Sequence, residues 1–396
     1  MALGASGATT LAFNLVLAHV LSRPDYGNVA RSLGLALAVA QLTMAGLAPA
    51  LARAVAGAPE EHRWPRAAAA LGVAAAASLA AALLYVPLAA AGLAPWGPGG
   101  LVTGIAVAAV YATYFALKCQ LFALDEVATY ARWELTADAV FFALLAAFAV
   151  LAPKDALVVF AAAYGLFVVA VARIVLRRAR RRVERVELDR AFGRFTALAT
   201  VATYASVARL PLVTALVGAV AGSRDAAGIA GISALVMPLF LVPQAAGMLT
   251  FATFARAPGD DHRAHLARMV RAVALCSAAV AVPLVLVARP LVGVLLGASY
   301  RNVSTAFVVL VLGAVPQLVA TPVGNAISGE GAAGVNAVLA SAALVVALVG
   351  AAVLAPRYGV LGAASALGAS MAVLGVSTLL VGRVRYGGRL EGVPAI

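Results

Sequence analysis

Val335 to Leu354 reads VNAVLASAALVVALVGAAVL, twenty residues without one formal charge. At 1.5 Å of rise per helical residue such a run spans about 30 Å, the hydrocarbon thickness of a bilayer. Only a helix satisfies its own backbone polar groups within one such segment, so the stretch is predicted to cross a membrane as a helix. Eleven further stretches share its character, at 2–21, 28–51, 68–91, 101–123, 135–152, 156–176, 196–218, 228–251, 269–288, 303–326 and 359–381. The expected fold is therefore all-α: a polytopic membrane protein of about twelve transmembrane helices.

Composition points the same way. The 396 residues are 64% hydrophobic and 11% charged, whereas soluble domains carry about 25% charged residues. A net charge of +13 would suit a nucleic-acid partner, but the basic residues fall in short loops between apolar runs. There they act as a topology signal, and no nucleic acid is expected. Twenty-one Arg and Lys residues fall on one side of the twelve spans and seven on the other, with Arg209 alone left inside a span. Retention of positive loops in the cytoplasm then places both termini there, in the inner (plasma) membrane. Cys119 and Cys276 lie within apolar segments, where they form no disulfide framework. Met1 to Val20 lacks the basic start and small-residue cleavage site of a removable signal peptide and is expected to stay as the first span.

The run RRARRRVERVELDRAFGR, Arg177 to Arg194, divides the chain near its middle as a cytoplasmic connector. Three matches recur across it in order. Ser22 to Gly27 (SRPDYG) answers Ser223 to Gly228 (SRDAAG), Ala58 to Arg63 (APEEHR) answers Ala257 to Arg263 (APGDDHR), and Ala152-Pro153-Lys154 answers Ala355-Pro356-Arg357. The offsets are nearly constant and all fall at helix junctions. Two pseudo-symmetric six-helix bundles, 1–190 and 191–396, are expected, related by an axis along the membrane normal as in some secondary transporters.

Soluble-enzyme motifs are absent or misplaced. GEGAAG, Gly329 to Gly334, has the GxGxxG spacing but lies between two membrane helices rather than between a strand and a helix, and no GxxxxGK[ST] occurs. His262 and His265 beside Asp260 and Asp261 read as a solvated loop rather than metal ligands. No cofactor and no metal are expected. Prolines 211, 238, 243, 283, 316 and 322 fall within spans, where each removes a backbone hydrogen bond and permits a kink.

Polar groups within spans carry more information, because a central ion costs about 2.5 to 3.5 kcal/mol on insertion scales and usually faces a wet cavity. Arg209 is the deepest. Arg31, Lys118 and Asp138 lie nearer span ends, and Asp138 reads as the only carboxylate well inside one. Asn14, Gln41, Gln244 and Gln317 are candidates to line a cavity or to bond neighbouring helices.

Arg23-Pro24-Asp25-Tyr26-Gly27, followed by a helix with Gly46-Leu47 and then Arg53, resembles the opening of the bacterial polysaccharide flippases. These form a branch of the multidrug/oligosaccharidyl-lipid/polysaccharide (MOP) exporter superfamily. Leu296-Gly297 with Tyr300, Asn325, and Tyr358-Gly359 leading to Gly362-Ala363-Ala364 are similar to later landmarks of that family. The resemblance covers nearly the whole chain. It implies alternating access that flips an undecaprenyl-pyrophosphate-linked oligosaccharide from the cytoplasmic to the outer leaflet. The implied partners are this lipid-linked glycan, membrane lipids and a coupling ion, proton or sodium. A cationic Arg209 suits a pyrophosphate, whereas an exporter of cationic drugs would need a buried carboxylate. The alternatives are a multidrug exporter of the same fold and a membrane polysaccharide polymerase or glycosyltransferase. The latter would need a large loop bearing carboxylates.

Overall fold

The computed structural model describes residues 2–95, 97–151, 156–179, 190–256, 260–330 and 332–386, and no strand occurs among them. Fifteen α-helices follow one another: α1 (Ala2–Val20), α2 (Arg23–Met44), α3 (Leu47–Ala56), α4 (Glu60–Leu88), α5 (Pro98–Ala123), α6 (Val127–Leu151), α7 (Ala156–Arg178), α8 (Arg190–Val207), α9 (Arg209–Val220), α10 (Ser223–Val236), α11 (Leu241–Arg256), α12 (Asp260–Leu286), α13 (Ala288–Leu295), α14 (Ser304–Gly329) and α15 (Ala333–Tyr386). Among the described residues eight helical runs are long and apolar enough to cross a membrane, or ten when each of two bent pairs counts as one span. Large apolar side chains face outward along them; Leu275 and Leu286 are 73% and 78% exposed. In water such surfaces would aggregate, and in lipid they are solvated.

All twelve predicted spans fall on helical residues, but several differ in form. The 54 residues of α15 would extend about 81 Å as one straight rod, far beyond one bilayer crossing. The chain breaks at Gly359, whose φ of 56° falls where a β-carbon is penalised. Two predicted spans, 335–354 and 359–381, flank that break. The predicted second span bends by 42° between α2 and α3, and the seventh by 59° between α8 and α9. Pro238 sits in a 3₁₀ turn, Met237–Phe240, that interrupts the eighth. Pro283, Pro316 and Pro322 are carried inside continuous helices. Residues 260–265, expected as a loop, form the first turns of α12.

Local chemistry accounts for the junctions. Ser22 caps α2, its hydroxyl accepting from the Asp25 amide, and Pro24 occupies the first turn where no N–H is needed. Ser223 opens α10 after Gly222, at φ 97°. Thus the SRPDYG and SRDAAG motifs both start helices, as do APEEHR at α4 and APGDDHR at α12. Ala152-Pro153-Lys154 lies outside the described residues, as does most of the central basic run.

The chain forms two compact units, Met1–Ala227 and Gly228–Ile396. In the first, α5 is central and packs on α2, α3, α4, α6 and α7, while α8 and α9 lie on α3 and α2. In the second, α14 is central and packs on α11, α12, α13 and α15.

Candidate functional site

Six of the eight polar residues singled out from the sequence, Arg209, Arg31, Lys118, Asp138, Asn14 and Gln41, lie in the first unit. They form two constellations there.

The first follows the contact of α2 with α9. Arg209 is the first residue of α9, directly after the break that bends the α8–α9 pair, and is 3% exposed. Pro211, one turn on, packs against Gly34 of α2. Arg31, also on α2, lays its aliphatic stem in the notch left by Gly218, nine residues beyond Arg209 on α9. The two arginines thus stand roughly 14 Å apart along one seam. The Arg31 guanidinium donates to the Gly92 carbonyl (2.6 Å) and to Ser223 Oγ (3.4 Å).

The second constellation lies between α1, α5 and α6, and it corrects the sequence analysis. Asp138 is not the only carboxylate inside a span. The predicted fifth span began at residue 135, but α6 begins at Val127 and carries Glu134 fully inside. Glu134 is 0% exposed and Asp138 5%. Four residues apart, they share one helix face. Tyr114 donates to Glu134 Oε1 at 2.6 Å, and Thr9 donates to Asp138 Oδ1 at 2.9 Å. The second oxygen of each carboxylate, Oε2 and Oδ2, has no hydrogen-bond partner in the protein. Lys118 extends over the rings of Tyr114 and Tyr130 and reaches to 3.5 Å from the Tyr114 hydroxyl. The i, i+4 spacing of Glu134 and Asp138 was the signal that could have found this pair.

Asn14 is buried beside this cluster, accepting from the Tyr26 hydroxyl and donating to the Thr10 carbonyl. Gln41 lies beside Tyr111, whose ring packs on Tyr114. Gln244, exposed on α11, and Gln317, half-buried on α14, belong to the second unit and do not join either group. Among the described residues no cluster of His, Cys, Asp or Glu could hold a metal ion. Outside the spans, Glu126 at the α5–α6 turn accepts from Thr129 and pairs with Arg178. The Thr129 hydroxyl and then the Arg178 charge hold its carboxyl below the usual carboxylate range.

No protein-family model and no curated protein sequence matches this chain. Solved structures do. An inward-facing multidrug resistance MATE family transporter of the MOP superfamily aligns over 98% of this chain and 96% of its own, with a TM-score of 0.75 at 13% identity. The fold is that of the MOP-superfamily transporters. Lipid II flippase MurJ in an inward closed conformation aligns over 96% of this chain and 86% of its own, at TM-score 0.74 and 11% identity. An outward-facing MATE transporter of the MOP superfamily covers 100% and 94%, at TM-score 0.61 and 12% identity. Both transporters of small drugs and a flippase of a lipid-linked precursor therefore share the MOP fold with this chain.

Proposed function

We propose that this chain is a MOP-type transporter that flips an undecaprenyl-pyrophosphate-linked oligosaccharide from the cytoplasmic to the outer leaflet of the plasma membrane. The observation that carries this reading is Arg209: a guanidinium buried at the opening of a helix broken within its span. An always-protonated fork matches phosphate oxygens in two parallel hydrogen bonds, and it is retained in a membrane where an anion or a wet path accounts for its cost. Broken membrane helices recur at transporter binding sites for the same reason. The paired motifs that start α2 and α10, and α4 and α12, support two six-helix halves, 1–190 and 191–396, rocking about the cargo.

Glu134 and Asp138 bear on the multidrug alternative. Two carboxylates lining an open cavity would favour an organic cation as cargo. These are enclosed, and a tyrosine, a threonine and Lys118 already occupy their surroundings. Space of that kind fits a proton rather than a drug. Two carboxylates against one lysine leave a single negative charge for it to balance. The pair is thus assigned as the coupling site and the proton as the coupling ion.

The test is flipping of a fluorescent lipid-linked oligosaccharide in proteoliposomes. Arg209→Ala should abolish flipping at unchanged membrane abundance, and Arg209→Lys should keep part of it, preserving the cation without the fork. Wild-type flipping by Arg209→Ala would overturn the anionic-cargo assignment. Efflux of organic cations with no movement of the glycan would replace it by multidrug export.

A further inference from the structure

The contact of α2 and α3 with α8 and α9 differs in kind from ordinary side-chain packing, because it is made largely backbone to backbone. A β-carbon on Gly34 would stand 2.7 Å from the Pro211 carbonyl oxygen, and one on Gly27 or Gly46 would overlap the carbonyl of Ser223 or Thr196. On the facing side, Gly218 makes room for the Arg31 stem. Glycine at these places lets two helices touch through dispersion alone, with few interlocking side chains to break. Both partners are also jointed: α2–α3 bends by 42° just before Gly46, and α8–α9 bends by 59° at Ala208. Such joints are where a membrane helix can change direction without losing its hydrogen bonds elsewhere.

Specific polar bonds are concentrated at one end of the seam. Ser223 Oγ donates to Asn28 Oδ1 at 2.5 Å and accepts from Arg31 Nη1 at 3.4 Å. Arg31 Nη2 holds the Gly92 carbonyl, at the end of the π-turn Ala89–Leu93 that closes α4. Arg31 therefore has one bond across the seam, to Ser223, and a shorter one to α4, its neighbour on the same side. Breaking the long bond while keeping the short one leaves the guanidinium solvated and still anchored.

We infer that the α2–α3 and α8–α9 seam is the surface that parts during the transport cycle, and that Arg31 with Asn28 and Ser223 forms its latch. This role for Arg31 rests on the transporter reading but not on the identity of the cargo. A flat glycine seam closes tightly yet parts at small cost, and the latch gives the closed form its specificity. Opening exchanges the Ser223 bonds for water and leaves Arg31 on Gly92.

Two measurements test this in a background with Cys119→Ala and Cys276→Ala. Spin labels on Pro24→Cys and Val220→Cys, both at exposed positions, should report two distances in the otherwise unaltered protein. Arg31→Ala and Ser223→Ala should each raise the longer population several-fold, and Gly34→Leu should remove the shorter. One short distance, unmoved by Arg31→Ala and Ser223→Ala, would overturn the inference even if Gly34→Leu fails to fold. Separately, a disulfide between Asn28→Cys and Ser223→Cys should reduce flipping more than tenfold, with recovery on reduction. A cross-linked protein that flips at the reduced protein's rate would also overturn it. If the reduced protein moves no lipid and no drug, the transporter reading fails, and the distance measurement still decides whether the seam opens.

Discussion

Tyr114→Phe removes a single hydroxyl from the coupling cluster and little else. The ring keeps its edge contacts with Tyr164 and Phe167, at centroid distances of 4.8 and 5.0 Å, so packing is preserved. What is lost is the 2.6 Å bond to Glu134, a side chain with no exposed surface. The size of that loss reports the charge on Glu134. Bonds between neutral side chains in membrane proteins couple by about 0.6 kcal/mol on average, whereas a bond to an ionised acceptor contributes about 1.5 to 3 kcal/mol. Lys118 stands beyond the Tyr114 hydroxyl, so the chain from lysine through tyrosine to glutamate is balanced with Glu134 ionised, and the exchangeable proton resides on Asp138. A double-mutant cycle of Tyr114→Phe and Glu134→Gln, read by reversible unfolding in mixed detergent micelles, should give a coupling of about 2 kcal/mol or more. A coupling near 0.6 kcal/mol would refute an ionised Glu134 and move the proton to it.

Asp138→Asn should leave the protein folded, since Thr9 can still donate to the remaining carbonyl oxygen, and should make flipping insensitive to an imposed pH gradient. Retained pH-gradient stimulation would refute the coupling assignment. Glu126 lies outside the spans and its carboxyl is held below the usual range, so its stabilisation is present above its unfolded value near 4.3 and is lost as pH falls through the lower folded value. Glu126→Gln should therefore cost about 0.5 kcal/mol at pH 7 and almost nothing near pH 3, seen as melting curves that converge on acidification. Arg194→Cys, exposed at the start of α8, should be labelled by an impermeant thiol reagent only in inverted vesicles; labelling from the outside of intact cells would reverse the proposed topology.

The membrane class and the positions of the helices were legible in the sequence because they depend on local quantities: unbroken apolar length, and the cost of leaving a backbone group unsatisfied in lipid. Ser22, Ser223 and Gly359 were visible at their junctions for the same local reason. The depth of Arg209 could also be counted along the chain. Glu134 was missed because hydropathy ends a span where charge begins, and only the packing of α6 against α1 and α5 decides that the helix continues inward for two more turns. The bends at Ala45–Gly46 and Ala208 carry no signal of their own, since neither has a proline at the break. Arg31 reads in sequence as a charge near a span end that could snorkel or line a cavity. Its bonds to Gly92 and Ser223 join residues 61 and 192 positions away. Hydrophobic periodicity says which segments leave water, but which helix meets which is set by the fit of backbones and side chains across contacts that no local stretch contains.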